Sequence, residues 1–431
     1  MINELTSEIS FASFKKEILK DYETICLSRA VSLLGRKEVL TGKAKFGIFG
    51  DGKELPQIAM AKAFQKGDFR SGYYRDQTFM MAINCLTPQQ IFAGLYAHTD
   101  PNHEPMSSGR QMGGHYNTDL IDENGSWLTQ TDRYNSSSDV SCTAAQMPRL
   151  VGLAMASKLY RSEKLFDNPK FSVNGNEVAW GTIGNASTSE GLFFESLNAA
   201  GVHQIPMVIS VWDDNYGISV DNSFQTVKES ISEALSGFKR NKTKDGFEIF
   251  SVKGWDYPKL IHIFQKAGEI ARTHHVPVLI HVTELTQPQG HSTSGSHERY
   301  KSNNRLKWEK ENDCNLKFRS WIIDNNIATE AELEAIETST QQEAKKAKEN
   351  AWEASLEPIR NEAKQLTNCV TDTGDEGLVK EGQRLLKDKS INRKKIASFA
   401  RKSLRVLRKQ PHSQTEKLQS WIANYFEETQ P

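Results

Sequence analysis

One stretch constrains the fold more than any other, Glu177–Val220, EVAWGTIGNASTSEGLFFESLNAAGVHQIPMVISVWDDNYGISV. Glu177–Ile183 is short, apolar and β-branched, and Gly184-Asn185-Ala186-Ser187 ends it. Leu192, Phe193, Leu197 and Ala200 then recur at helical spacing, with Ser189 placed as an N-cap. Pro206 restarts a strand over Met207–Trp212, which ends in Asp213-Asp214-Asn215-Tyr216-Gly217. A strand–helix–strand unit of this length is a parallel βαβ crossover. Both polar loops follow strands, so both lie at the carboxyl edge of one sheet, where open α/β sheets bind ligands. An Asn185 amide oxygen and the Asp213/Asp214 carboxylates then come within reach of one point. Oxygen ligands on two loops suit a hard divalent cation such as magnesium, usually shared with a substrate's phosphates. Gly-Asn and Asp-Asp-Asn are equally ordinary turn sequences, so residue type alone leaves both readings open.

The alternation continues on either side. Phe247–Val252, Tyr257–Thr273 and Pro277–Val282 read as strand, helix, strand, which implies a mostly parallel sheet covered by helices on both faces. The polar loop 284–302, ELTQPQGHSTSGSHERYKS, also leaves a strand end. Upstream, residues 12–35 carry helical periodicity closed by Gly35, and helices are expected over Glu54–Gln65, Thr87–Tyr96 and Arg149–Tyr160, the last directly after Pro148. GIFGDG (47–52) lacks the Gly-Lys-Ser/Thr of a phosphate loop and reads as a turn. In GYYRDQTFM (72–80) an arginine beside tyrosines follows a predicted strand and could hold an anion; a surface arginine beside packing aromatics is the commoner case. Residues 98–147 show little periodicity, as functional or disordered segments do. From Asn304 onward only helices are expected, over Arg305–Asn325, Ala331–Leu366 and Ile391–Leu407, with a break at Thr371–Gly377. The expected organisation is therefore an N-terminal helical segment (1–40), an α/β domain (41–303) and a helical extension (304–431).

Charge and cysteine content narrow the partners. Lys plus Arg equals Asp plus Glu, 54 each, which gives no global charge to draw nucleic acid or a membrane surface. Ten Lys/Arg lie between Lys387 and Lys409 against Asp388, but without aromatic interleaving the solvated face of a connector helix is the better reading. Five scattered cysteines with no Cys-x-x-Cys pair fit a reducing compartment, and the mixed N-terminus does not read as a signal peptide. A cytoplasmic chain is expected, with neither nucleic acid nor membrane among its partners.

Taken together the loops resemble one family. GNASTSEG (184–191), a helix, a strand and DDNYGIS (213–219) are similar to the thiamine-diphosphate signature of 2-oxoacid dehydrogenases, specifically the alpha part of their decarboxylating component. Tyr74-Arg75, GRQMGGHY (109–116), SCTAAQMP (141–148) and GHSTS (290–294) follow the order of that family's cofactor and substrate loops, over roughly residues 30–330. The resemblance implies thiamine diphosphate and Mg2+ as cofactors. It implies that Tyr74 and Arg75 hold the diphosphate, that Gly184, Asn185 and Ala186 form the first cofactor loop, and that Ser141 and the backbone of Thr143 meet the aminopyrimidine. Asn185, Asp214 and the carbonyl of Tyr216 would ligate magnesium. His291 would lie near the diphosphate, assist acyl transfer and donate a proton. Ser292 and Ser294 match a loop that is phosphorylated in some relatives.

The same resemblance implies attack of the cofactor's carbanion on the 2-oxo carbon, loss of carbon dioxide and acyl transfer to a lipoyl group on a partner acyltransferase. GRQM (109–112) and His115-Tyr116 resemble branched-chain enzymes, so 3-methyl-2-oxobutanoate is the expected substrate. A catalytic glutamate is expected from a beta-type half, either a separate subunit of a heterotetramer or the rear of a fusion. Four departures stand out: Asn185 and Asp214 exchange the family's usual carboxylate and amide, Ala186 replaces a glycine, Trp212 an arginine, and Gln287 an arginine. Asp214→Ala is expected to abolish magnesium-dependent cofactor binding and Asp213→Ala to do so far less. Rival readings are a pyruvate or acetoin dehydrogenase component and a non-catalytic paralogue that no longer holds cofactor.

Overall fold

The structure, a computed structural model, describes residues 10–163, 168–291, 296–409 and 412–429. Its parallel sheet is built from β1 (Phe69–Ser71), β2 (Asn135–Ser136), β3 (Ala179–Gly184), β4 (Met207–Trp212), β7 (Glu248–Lys253) and β8 (Val278–Thr283), in the order β2-β1-β3-β4-β8-β7. A two-stranded hairpin, β5 (Tyr216–Gly217) with β6 (Val220–Asp221), lies in the loop after β4. Every residue of β4 is buried, and β3 and β8 are buried except at their last residue, so these strands read as continuous apolar runs. Edge strand β7 is largely half-exposed.

Among the described residues, eight α-helices accompany the sheet through residue 274: α1 (Phe11–Leu40), α2 (Glu54–Ala63), α3 (Gln77–Ala82), α4 (Pro88–Leu95), α5 (Gln146–Ser162), α6 (Gly191–His203), α7 (Ile231–Ala234) and α8 (Tyr257–His274). Thr87 caps α4 in a reciprocal box with Gln90, as its sequence position suggests. Phe193, Leu197 and Ala200 of α6 pack into the core with Ile183, Ile209 and Val211, and full burial of each large side chain stabilises by about 2 kcal/mol.

Three boundaries differ from the expectation. Gly35 does not close α1, which runs on to Leu40; a Cβ there would lie 2.2 Å from the Phe49 ring, so this glycine makes room for packing. Helix α5 starts at Gln146 and not at Arg149, with Pro148 in its first turn as expected, where a missing N–H leaves no helical bond unmade. Ser189 does not cap α6: Ala186–Ser189 forms a 3-10 turn, Glu190 takes the cap position, and the Ser189 hydroxyl donates to the Gln225 carbonyl at 2.9 Å.

Beyond β8 come α9 (Asn303–Glu311), α10 (Cys314–Asp324), α11 (Glu330–Thr371), α12 (Glu376–Leu386), α13 (Arg393–Val406) and α14 (His412–Glu428). The single helix expected over 305–325 is two, because the Asp313 carboxylate accepts from Asn315 and Leu316 and starts a new one. By internal packing the chain divides into Met1–Lys348 and Glu349–Pro431, a boundary later than the change of composition at residue 304. The second unit has its own core, including Leu366, Val370, Ile396, Phe399 and Ile422. On α13, Arg393, Lys395 and Lys402 pair with Glu362, Asp388 and Glu381, which is how a solvated basic face behaves.

Candidate functional site

Strand register brings the loops together. β3 and β4 pair from Ala179↔Met207 to Gly184↔Trp212, and β4 pairs with β8 as far as Trp212↔Val282. The Asn185 N–H then donates to the Trp212 carbonyl at 3.1 Å, and the Asp213 N–H to Val282 at 2.9 Å. Three loops thus leave the sheet side by side at its carboxyl edge, with the loop after β1 joining them.

They enclose a cleft of about 440 Å³. Tyr74, Arg75, Ser141, Thr143, Gly184, Asn185, Ala186, Asp214, Tyr216 and His291 all line it. Every site residue expected from the sequence is therefore in one place, except that Ser292 and Ser294 lie outside the described residues. Phe46, Ile48 and Met112 add an apolar wall.

Asp213 and Asp214 have different tasks. Asp213 is buried against the sheet, where it accepts from the Asn215 N–H at 2.8 Å and lies 2.8 Å from His281 Nε2, whose Nδ1 meets Ser232. Asp214 faces the cleft. Its Oδ1 accepts from the Tyr216 N–H at 3.1 Å, and its Oδ2 accepts from Lys53 Nζ at 2.7 Å. Lys53 is 2 % exposed and also donates to the Thr286 carbonyl at 3.1 Å and to Gln287 Oε1 at 2.8 Å. All three of its N–H groups are used. Burial pushes the Lys53 pKa down and the carboxylate opposes it; at Asp214 the attraction of Lys53, with Lys301 and Arg75 behind it, outweighs burial and holds the carboxyl below its usual range.

Lys53 was not singled out by the sequence reading. The signal for it is modest: it sits at the N-cap of α2, where a cation opposes the helix dipole. The turn before it is demanding. Gly52 has φ +84°, and a Cβ there would lie 2.1 Å from the Thr286 carbonyl oxygen. GIFGDG is thus a turn, as read, but one that delivers a lysine to the cleft.

A second layer fixes the cleft's walls. Lys301 pairs with Glu309 at 2.7 Å and lies 5.0 Å from the Tyr216 ring centroid; Arg305 donates to the Asp214 carbonyl at 2.7 Å. Arg75 donates to the Phe49 carbonyl at 2.5 Å and its guanidinium lies 5.7 Å from the Tyr74 ring centroid. Arg70, fully buried, bridges Asp76 and Asp139 at 2.7 and 3.0 Å. Trp212, in place of the family's arginine, donates from Nε1 to Asp76 at 3.3 Å. Ser141 Oγ meets His115 Nε2 at 2.8 Å, so the expected aminopyrimidine contact already has a partner. Burial, followed by the charges of Arg75 and Lys53, pushes the His291 pKa down to about 4, with Asp214 opposing. His291 is accordingly neutral at neutral pH, and the expected proton donor carries no extra proton until negative charge arrives beside it.

A family model described as "Dehydrogenase E1 component" matches residues 22–359. The chain belongs to that family. Among curated relatives it is 25% identical over 356 residues to the 2-oxoisovalerate dehydrogenase subunit alpha of Bacillus subtilis, covering 80% of this chain and 95% of that one. It is 24% identical over 343 residues to the pyruvate dehydrogenase E1 component subunit alpha of Rickettsia prowazekii, covering 79% and 92%. The mitochondrial pyruvate dehydrogenase E1 alpha of Dictyostelium discoideum is 25% identical over 362 residues, 83% and 82%. The alpha-type resemblance read from the loops is thus borne out, as is the α/β fold with its mostly parallel sheet.

The residues fit an anionic cofactor better than they fit magnesium. Arg75, Lys53 and Lys301 line the cleft, and the side-chain nitrogens of Asn185 and Gln287 are buried there with no hydrogen-bond partner. Unpaired buried donors beside cations suit phosphate oxygens. The magnesium set of Asn185, Asp214 and the Tyr216 carbonyl contains one carboxylate, and its Oδ2 already holds an ammonium at 2.7 Å. A dication on that oxygen would sit against a buried positive charge. Among the described residues no three His, Cys, Asp or Glu side chains form a metal cluster.

Proposed function

We propose that the chain is the alpha-type half of a thiamine-diphosphate-dependent 2-oxoacid dehydrogenase component. Its proposed substrate is 3-methyl-2-oxobutanoate or a homologue, with the acyl group passing to the lipoyl group of a partner acyltransferase. One observation carries the reading: loops after β1, β3, β4 and β8 contribute Arg75, Asn185, Asp214 and His291 to a single cationic cleft. When bound, thiamine diphosphate supplies a nucleophilic carbon for the 2-oxo group and an electron sink for loss of carbon dioxide.

The chain's own residues supply grip and environment. Arg75 and Lys301 attract the diphosphate, and the free amide donors of Asn185 and Gln287 meet its oxygens. Tyr74 packs beside Arg75 and limits its guanidinium to one approach. Ser141, held by His115, and Thr143 line the cleft where the aminopyrimidine would lie. Phe46, Ile48 and Met112 form a partly exposed apolar wall that suits a branched apolar side chain. Negative charge brought in by substrate or cofactor raises the His291 pKa and lets this residue hold a proton near the reacting carbon.

A beta-type subunit or half would bring the catalytic glutamate. A cytoplasmic setting agrees with five unpaired cysteines. Calorimetric titration of the full chain with thiamine diphosphate, with and without a beta-type partner, tests the core of the reading. Absence of binding in both arrangements would favour the non-catalytic paralogue. Decarboxylation assays with 3-methyl-2-oxobutanoate and pyruvate then separate the two substrate classes, and a preference for pyruvate would overturn the branched-chain assignment.

A further inference from the structure

The Lys53–Asp214 contact joins two residues 161 positions apart in a place where hard-cation chemistry is expected. Lys53 is 2 % exposed, its ammonium 2.7 Å from Asp214 Oδ2 and anchored by two further oxygens, those of Thr286 and Gln287. Three oxygens around one buried positive charge are the coordination that a small cation would otherwise receive. Two adjacent features point the same way. Gln287 gives its oxygen to Lys53, so its nitrogen is left unpaired in the cleft lining; Asn185 nitrogen is unpaired as well. The unpaired nitrogens are buried donors, which a phosphate can satisfy and a metal ion cannot.

We propose that the Lys53 ammonium is the built-in cation of this site, filling the place of a divalent metal on Asp214, so that thiamine diphosphate binds without magnesium. The proposal rests on reading the cleft as a thiamine diphosphate site. A bare Asp214 carboxylate would repel the diphosphate. The Lys53 ammonium, 2.7 Å away, offsets that charge, and Arg75, Lys301 and the two amides are left to hold the phosphates. A lysine tethered by the Gly52 turn is always present at its post, whereas a dissolved ion has to be recruited at each loading.

The test is calorimetric binding of thiamine diphosphate to the full chain, with its beta-type partner supplied, in chelator and in millimolar magnesium. The expected result for the natural sequence is equal affinity, within about twofold, in both. Lys53→Gln should lose about ten- to a hundredfold in chelator, the usual range for a charged contact, and recover part of it when magnesium is added. Lys53→Arg, which keeps the charge, should stay metal-independent. Tenfold or greater weakening of the natural sequence by chelator would overturn the proposal and leave the functional reading standing. Unchanged binding by Lys53→Gln in chelator would overturn it too. If that variant does not fold, the comparison on the natural sequence decides alone. No binding in either buffer would instead remove the functional reading, and the proposal with it.

Discussion

Two buried ion pairs lie beneath the same sheet edge, and they are built to opposite ends. Arg70 is enclosed by Asp76, Asp139, Ser136 and the Tyr73 carbonyl, and every contact is internal. Lys53 and Asp214 are also buried, yet their neighbours Asn185 and Gln287, which line the cleft, keep buried amide nitrogens without a partner. A fully satisfied network fixes a shape, whereas a partly satisfied one is costly until something arrives to complete it. The first pair holds the loop after β1; the second waits for a ligand.

Cutting each pair separates the two roles. Arg70→Met leaves two carboxylates in the core without a cation, and we expect a loss of about 3–5 kcal/mol in urea denaturation that added thiamine diphosphate does not restore. Asp214→Ala strands the Lys53 ammonium and should cost a similar amount, about 3–5 kcal/mol. Here the diphosphate can replace the lost carboxylate, so saturating cofactor should return about 1.5–3 kcal/mol more than it gives the natural sequence. That changes the sense of the sequence-based expectation for Asp214, because the carboxylate is paired to a lysine rather than to an open metal site. Equal rescue of both variants, or of neither, would end the distinction.

Asp213→Ala should be milder. It removes contacts to His281 and to the Asn215 N–H, costing about 1–3 kcal/mol, and should alter cofactor rescue little. A titration separates the histidine. His291 has a folded pKa lowered to about 4 from about 6.5, so the unfolded chain takes up its proton first. Its contribution to stability is therefore complete above pH 6.5, falls as the pH drops toward 4, and is constant below. His291→Gln should remove that part of the slope, read as denaturation midpoint against pH; an unchanged slope would assign it elsewhere. The smallest effect is expected in the C-terminal unit, at its exposed Lys402–Glu381 pair. Lys402→Ala should shift stability by at most about 0.5 kcal/mol. A larger loss would mean that α13 uses its basic face structurally.

Much of the fold was legible because its signals are local. β4, β7, β8 and α8 appear within a residue or two of where periodicity and turn residues set them, and all ten expected site residues share one cleft. The misses have particular causes. Gly35 resembled a helix stop, but it answers to Phe49, a packing partner that no local pattern displays. Ser189 resembled a cap, but the Gln225 carbonyl, brought in by the hairpin after β4, claimed its hydroxyl. The helix at 305–325 splits at Asp313, a cap signal overlooked inside a charged stretch.

Glu177–Val220 by itself determined a parallel βαβ unit with two polar loops at one edge, because strand period, helix period and turn chemistry act over a few residues. It also determined that Asn185 and Asp214 would meet, since parallel neighbours leave their loops on the same side. The tertiary structure alone decided what lies between them. Lys53 reaches Asp214 across 161 residues because the Gly50–Gly52 turn, pressed against the Thr286 carbonyl, points the start of α2 into the cleft. A charge pair of that kind is set by sheet order and burial, and neither is written in the residues nearest to it.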